Sequence, residues 1–218
     1  MKNVPRIYLG ENISAGMNFP VARDVAHYLS HVMRRRDFLA FGAGKEFVAT
    51  LSEDGKFVAI GEQTEHKDPA NNITLMFAPI KRTDDLLNMA TQLGVKTFQP
   101  VITERTVANH INWERMRKIV IEASEQSNRN SVPEILPEKR FGDIDLTGLV
   151  FADERAAYGL KLPTNAKTSK TVFVGPEGGF SDKEFSAFDS AGAIGIGLGK
   201  TILRAELAAA IAISRIVL

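Results

Sequence analysis

No cysteine occurs anywhere in the 218 residues. Its absence excludes disulfides, thiolate metal sites and a cysteine nucleophile. An excess of one charge is also missing: 27 Lys and Arg against 26 Asp and Glu leave a formal net charge of +1. The overall balance therefore announces no nucleic-acid partner, although a local basic patch would suffice for one. No apolar run reaches the length of a membrane span. The opening MKNVPRIYLG lacks the long apolar core of a signal peptide. Internal repeats and low-complexity segments are missing too. The expectation from these absences is a soluble, cytoplasmic protein with no metal and no membrane association.

What is present is an ordinary globular composition, 44% hydrophobic and 24% charged, long enough for one large domain or two small ones. Residues 1–68 read as a small β-rich unit. Arg6 to Leu9 is a strand, and Phe47 to Leu51 and Phe57 to Ile60 flank the hairpin signal Asp54-Gly55. Val21, Val25, Tyr28, Leu29 and Val32 keep a helical period, followed directly by Arg34, Arg35 and Arg36. Three consecutive arginines are first of all a solvated helix end that suits the macrodipole; the functional alternative is a phosphate-contacting patch. The polar, proline-bearing stretch Glu62 to Asn72 has no period and reads as a linker.

From Ile73 the texture changes to alternating strands and helices. Strands are expected at 73–78, 95–101, 149–152, 172–174 and 194–198. Helices are expected after Thr83 and Asn112 as caps, after the capping box Ser181-x-x-Glu184, and over 203–217. Such alternation implies a mostly parallel sheet with helices on its faces. The last helix carries alanine, leucine and isoleucine on every side, so it is expected to be buried all round or to meet a second subunit.

Two glycine corners stand out. Thr171 to Val174 runs into Gly175-Pro176-Glu177-Gly178-Gly179-Phe180, and Ile194 to Leu198 runs into Gly199-Lys200-Thr201 and on to Arg204 and Glu206. An ordinary turn needs one or two such residues; the first corner uses four in five places and embeds a charge. Adjacent glycines let a ligand approach the main chain closely, and a side chain at Gly178 is expected to block that approach. Two such turns at strand ends would make a pocket wall of backbone groups at the carboxyl edge of a parallel sheet. Gly199-Lys200-Thr201 resembles the end of a phosphate-binding P-loop, but Ile194 occupies the position of its first glycine. Gly195, Gly197 and Gly199 have the wrong spacing for a dinucleotide fingerprint.

Together, VGPEGGFSDKE and LGKTILRAELAAA closely resemble the RsmE family of SPOUT-superfamily RNA methyltransferases. APIK at 78–81, ATQLGV at 90–95, PVITERTV at 100–107 and IEASEQSNRNSVPEI at 121–135 extend the resemblance over 73–218. Leu207 stands where the family usually has threonine, which puts one polar contact near the pocket floor in question. The resemblance implies an α/β fold with a C-terminal trefoil knot over 73–218 and a PUA-like, RNA-binding β-barrel over 1–68. It also implies S-adenosylmethionine as cofactor, a homodimer, and N3-methylation of one uridine in 16S ribosomal RNA of the small subunit.

On that basis the cofactor is expected against Val174, Gly175, Pro176, Glu177, Gly178, Gly179, Leu198, Gly199, Ile202, Leu203 and Glu206. Arg204 is the expected catalytic cation, and Glu177 and Glu206 are expected to organise the loops or hold it. Arg34, Arg35, Arg36, Glu104, Arg105 and Arg129 are the candidate RNA contacts. No histidine lies in the motifs. A non-catalytic RNA-binding protein and a nucleotide-phosphate enzyme remain the alternative classes.

Overall fold

The Asp54-Gly55 turn closes a hairpin between β4 (Lys45–Leu51) and β5 (Phe57–Gln63), with Gly55 at φ +68°. Every second residue near the turn end of both strands is buried, as a half-covered sheet requires. The computed structural model describes residues 4–69, 72–107, 111–164 and 169–217. It divides into two compact units: Met1–Pro69 with Ser124–Val132, and Ala70–Ala123 with Pro133–Leu218. The division expected near residue 68 did not include the segment 124–132, which groups with the first unit. Ala70, Asn71 and His110 lie outside the described residues.

In the first unit, β1 (Arg6–Tyr8), β2 (Asn18–Pro20) and β3 (Asp37–Gly42) join the hairpin in the order β1-β3-β4-β5-β2. Only β1 and β3 run parallel. A register shift between Phe47 and Ala49 marks an irregularity in β4, the kind of feature that curls a sheet. Strand β3 escaped the sequence pattern because consecutive residues Ala40, Phe41 and Gly42 are all buried, which erases the alternation. The helix expected over 21–32 is only α1 (Arg23–His27), continued by a wide π-turn over Tyr28–Val32. Leu29 is the buried residue of that segment, and Arg34 at φ +53° ends it.

An ion pair locks this unit internally. Arg6 Nε donates to Glu46 Oε2 at 2.8 Å, with side-chain exposures of 7% and 5%. Its other nitrogens reach Arg129 O at 3.1 Å and Asn130 Oδ1 at 2.7 Å. Burying both charges is tolerable because each finds further hydrogen bonds; Glu46 also accepts from Thr64 Oγ1 at 2.7 Å.

The second unit holds β6 (Ile73–Phe77), β7 (Val95–Ile102), β8 (Glu134–Ile135), β9 (Lys139–Arg140), β10 (Val150–Ala152), β11 (Thr171–Val174) and β12 (Ile194–Ile196). Their order is β12-β10-β11-β6-β7-β8, with β9 also against β7, and every pairing is parallel. The strand-helix alternation read in the sequence thus gives the parallel sheet it implies. The helices are α2 (Thr83–Gln92), α3 (Trp113–Gln126), α4 (Asp182–Ala191) and α5 (Ala205–Val217). Both halves of the Ser181/Glu184 capping box are formed, and Asn112 Oδ1 accepts from Arg115 N at 3.0 Å. Thr83 departs from expectation. It is the first helical residue, and its hydroxyl bonds Ile80 rather than capping α2.

Thirteen phenylalanines outnumber one tryptophan and three tyrosines, and this unit shows why. Phe151, Phe173, Phe180 and Phe188 pack together with exposures of 0–1%. Phe151 and Phe188 stack at 4.0 Å, and Phe180 meets Phe173 edge-on at 5.1 Å. A ring with no polar atom needs no partner in so dry a site. Phe180 closes the first glycine corner, so the turn is pinned to the core at its last residue. Helix α5 is not buried on all sides: Leu207 is 46% exposed, and Ala210 and Ile211 are half-buried.

Candidate active site

The order β12-β10-β11 puts three strand ends side by side, and the chain leaves each of them toward one cavity of about 370 Å³. Ala152 ends β10, and Asp153, Glu154, Ala157 and Tyr158 follow it. Val174 ends β11, and Gly175 to Gly179 follow it. Leu198, Gly199 and Thr201 to Ala205 follow β12, with Ala208 from α5. The cavity therefore sits at the carboxyl edge of a parallel sheet, where loops, free of ladder hydrogen bonds, can turn N–H and C=O groups to a ligand. Its size is within the range of small-molecule sites.

Ten of the eleven residues expected to hold the cofactor line this cavity: Val174, Gly175, Pro176, Glu177, Gly178, Gly179, Leu198, Gly199, Ile202 and Leu203. Glu206 does not. It is 8% exposed and pairs with Arg82 at 3.7 Å, fastening the start of α5 to the loop before α2. Glu177 is exposed and accepts from the Lys81 N–H at 3.1 Å. Both acids organise loops, and neither forms a salt bridge with Arg204 among the described residues. Arg204 itself lines the cavity and is exposed.

The glycines differ in what they permit. Gly178 is not the constrained one: a Cβ there would rest 3.4 Å from Arg105 Cβ, an ordinary contact. Gly179 is. Its φ is +68°, and a Cβ would overlap the Glu154 carboxylate. Gly195 and Gly197 are set by packing as well, since a Cβ would come within 2.6 Å of Asp153 Oδ2 and 2.8 Å of Ala156 Cβ, respectively. Arg215, near the end of α5, donates to the carbonyls of Gly197 and Leu198 and steadies the second corner from behind.

Residues 104 and 105 brace the first corner. Arg105 Nη1 donates to the carbonyls of Gly178 and Phe180, each at 3.1 Å. Glu104 accepts from Ser181 Oγ at 2.8 Å, and its N–H donates to Glu184 Oε1 at 2.9 Å. Their side chains are thus engaged within the protein. Arg129, in the first unit, is 9% exposed. Burial there lowers the proton affinity of its guanidinium, which Asp68 partly restores. The Arg129 guanidinium is thus largely withdrawn from the surface. Arg34, Arg35 and Arg36 are all exposed; Arg36 Nε donates to Leu51 O at 2.9 Å.

The turn after β10 carried no expectation from the sequence. Asp153 caps it and is buried at 2%, its carboxylate gripped by Arg155 at distances down to 2.7 Å. Arg155 also reaches Asp189 on α4 at 3.1 Å and lies 4.3 Å over the Phe185 ring. The two carboxylates raise the proton affinity of this guanidinium further. Glu154 sits next to that clamp, half-buried in the cavity wall. Burial and the adjacent Asp153 raise its pKa; Arg105, the Phe180 N–H and Arg155 pull it back in part. The signal for this segment was its place at a strand's carboxyl end, because FADER has no motif of its own. Leu207 does not line the cavity, so the leucine-for-threonine difference concerns the outer face of α5 and not the pocket floor.

A family model for the RNA methyltransferase domain matches residues 66–217. The curated ribosomal RNA small subunit methyltransferase E of Rickettsia conorii is 34% identical over 97% of this chain and 94% of its own length. The chain belongs to the ribosomal RNA small subunit methyltransferase E family. Among the family's solved structures, the Neisseria gonorrhoeae protein bound to S-adenosyl methionine superposes with a TM-score of 0.81. It is 32% identical, over 97% of this chain and 96% of that one. A putative methyltransferase from Legionella pneumophila, also in complex with bound S-adenosyl methionine, gives a TM-score of 0.80 at 26% identity with the same coverage. The family match includes both glycine corners and the turn after β10. No group of three or more potential metal ligands occurs among the described residues, and no helix of theirs is long and apolar enough to cross a membrane.

Proposed function

We propose that this chain transfers a methyl group from S-adenosylmethionine to N3 of one uridine in 16S ribosomal RNA, acting on the small ribosomal subunit in the cytoplasm. The observation that carries the reading is the convergence of both glycine corners on one cavity. The residues present fit the cofactor. Residues 174–179, 198, 199 and 201–203 line the space and would hold it through their main-chain groups, with Leu198, Ile202 and Leu203 offering an apolar surface to the adenine. When bound, the cofactor supplies an electrophilic methyl group, so the protein's task is mainly alignment, worth about 7–11 kcal/mol when complete. Arg204 serves as the cation that stabilises charge gathering on the target base as N3 loses its proton.

The same reading makes the curled five-stranded sheet a PUA-like barrel that supplies RNA affinity, and gives the α/β unit a trefoil knot. Support for the knot is that the segment after β10 lies against the one after β12, with Gly197 N–H donating to Pro163 O at 3.0 Å. Support for a homodimer is the exposure of Tyr158 (80%), Ile202 (61%) and Leu207 (46%) beside the cavity and on α5.

The deciding experiment incubates the protein and S-adenosylmethionine with small subunits from a strain lacking the modification, followed by mass spectrometry of the nucleosides. We expect one new 3-methyluridine; unmodified RNA from protein that binds the cofactor sinks the reading in favour of a non-catalytic RNA-binding role. Changing Arg34, Arg35 and Arg36 together to alanine is expected to weaken RNA binding and to flatten its dependence on salt. The slope should fall by up to about 0.7–0.9 for each phosphate that is no longer neutralised. An unchanged salt slope reduces the patch to solvated surface.

A further inference from the structure

Among the described residues three carboxylates line the cavity, Asp153, Glu154 and Glu177, and two are already committed. Asp153 is the counter-ion of Arg155, taking its Nε at 3.0 Å and Nη2 at 2.7 Å. Glu177 is exposed and holds the Lys81 N–H. Glu154 has neither commitment. Its carboxylate lies against Gly179, whose missing side chain is what leaves it room. The charged groups around it are Asp153, Arg105 and Arg155, and the Phe180 N–H donates to it. Among the described residues, no histidine lines the cavity.

Burial is the largest influence on this group and raises its pKa, with Asp153 adding to the effect. A carboxyl held this way is a stronger base once ionised than an exposed one. It also weakens the fold. Its folded pKa lies above its unfolded one, so the native state binds the proton more tightly. The associated stability is complete below the unfolded pKa and is lost as pH rises through the folded one. Once ionised, the group is carried at a cost that Arg105, the Phe180 N–H and Arg155 offset only in part.

We propose that Glu154 is the catalytic base that takes the N3 proton of the target uridine. The inference rests on the methyltransferase reading above and adds the residue that reading leaves unnamed. In the step, the N3–H bond breaks and its proton passes to a Glu154 oxygen. The N3 electron pair forms the new C–N bond to the donor methyl while the methyl's bond to sulfur breaks, with those electrons remaining on sulfur. The proton then leaves Glu154 for water.

The test compares wild type with Glu154→Gln in three measurements: single-turnover methylation of small subunits against pH, S-adenosylmethionine binding by calorimetry, and thermal unfolding of the free proteins. We expect the wild-type rate to rise with pH and level off once Glu154 is ionised. The variant should be about 10²–10⁴-fold slower at neutral pH, recovering in alkali where uridine N3 ionises by itself, with cofactor affinity unchanged. Glutamine mimics the protonated acid, so the variant should unfold at a higher Tm than wild type at neutral pH, the difference vanishing in acid. A variant as fast as wild type overturns the proposal. So does one that loses cofactor affinity, which would make Glu154 a cofactor ligand, or one with a lower Tm at neutral pH, which would make it structural. Should the variant fail to fold, a wild-type profile with no plateau below the alkaline range overturns it alone. Wild type that binds cofactor but leaves the subunits unmodified is a failure of the methyltransferase reading instead.

Discussion

Gly179→Ala is expected to lower affinity for S-adenosylmethionine by about tenfold or more, equivalent to roughly 1.4 kcal/mol. Two costs act together. Gly179 sits at φ +68°, a conformation that costs a residue bearing a Cβ about 1–3 kcal/mol where the surroundings enforce it. The added methyl would also overlap the Glu154 carboxylate. Relief requires either the carboxylate or the turn to move. The turn is fastened at both ends, by Gly179 N–H to Pro176 O at 2.9 Å and by Arg105 to the carbonyls of Gly178 and Phe180. Strain is therefore delivered to the main-chain groups that face the cavity. Gly178→Ala is the comparison: its Cβ meets Arg105 only at 3.4 Å, so it adds no strain within the turn, and any affinity it loses reports a ligand lying against residue 178. Calorimetry on the two variants decides the matter. Wild-type affinity in both would mean that the turn's backbone is not what the cofactor reads.

Arg204→Ala is expected to reduce single-turnover methylation by about 10²–10³-fold, the usual effect of removing one donor aimed at developing charge. Cofactor affinity and Tm should hardly move. Arg204 is exposed and forms no salt bridge among the described residues, and surface changes of that kind typically stay within about 0.5 kcal/mol. Its carbonyl, which accepts from Ala208 N–H at 2.8 Å, survives the substitution, so the first turn of α5 stays in place. Arg204→Lys should recover part of the rate, since it restores the charge but not the planar fork. Wild-type turnover in Arg204→Ala would remove this residue from the chemistry.

The two corners were legible because their signals are local. Gly175-Pro176-Glu177-Gly178-Gly179 and the run through Gly199 to Arg204 declare open turns by their own chemistry, and Ser181 with Glu184 declares the helix that follows. Most of the readings that moved depend on neighbours distant in the chain, the Thr83 cap being a local exception. Arg105 and Glu104 looked like loop residues free for RNA, yet their partners lie more than seventy positions away on the first corner. Arg129, a candidate RNA contact, is buried at 9% exposure, and its carbonyl accepts from Arg6, more than a hundred positions away. Strand β3 gave no alternation because consecutive residues are buried.

By itself the sequence determined the elements whose causes lie within a few residues: the helices capped by Asn112 and Ser181, the Asp54-Gly55 hairpin, the strand-helix alternation and the two glycine turns. Turn chemistry, capping and periodicity are short-range properties, and they survive being read along a line. The tertiary structure alone decided that β10 lies between β11 and β12, and so that Glu154 reaches Gly179 and Arg215 reaches Gly197. Strand order is fixed by which apolar faces bury one another across the whole unit. The burial that sets Glu154's proton affinity follows from that order and is written in no single stretch of the chain.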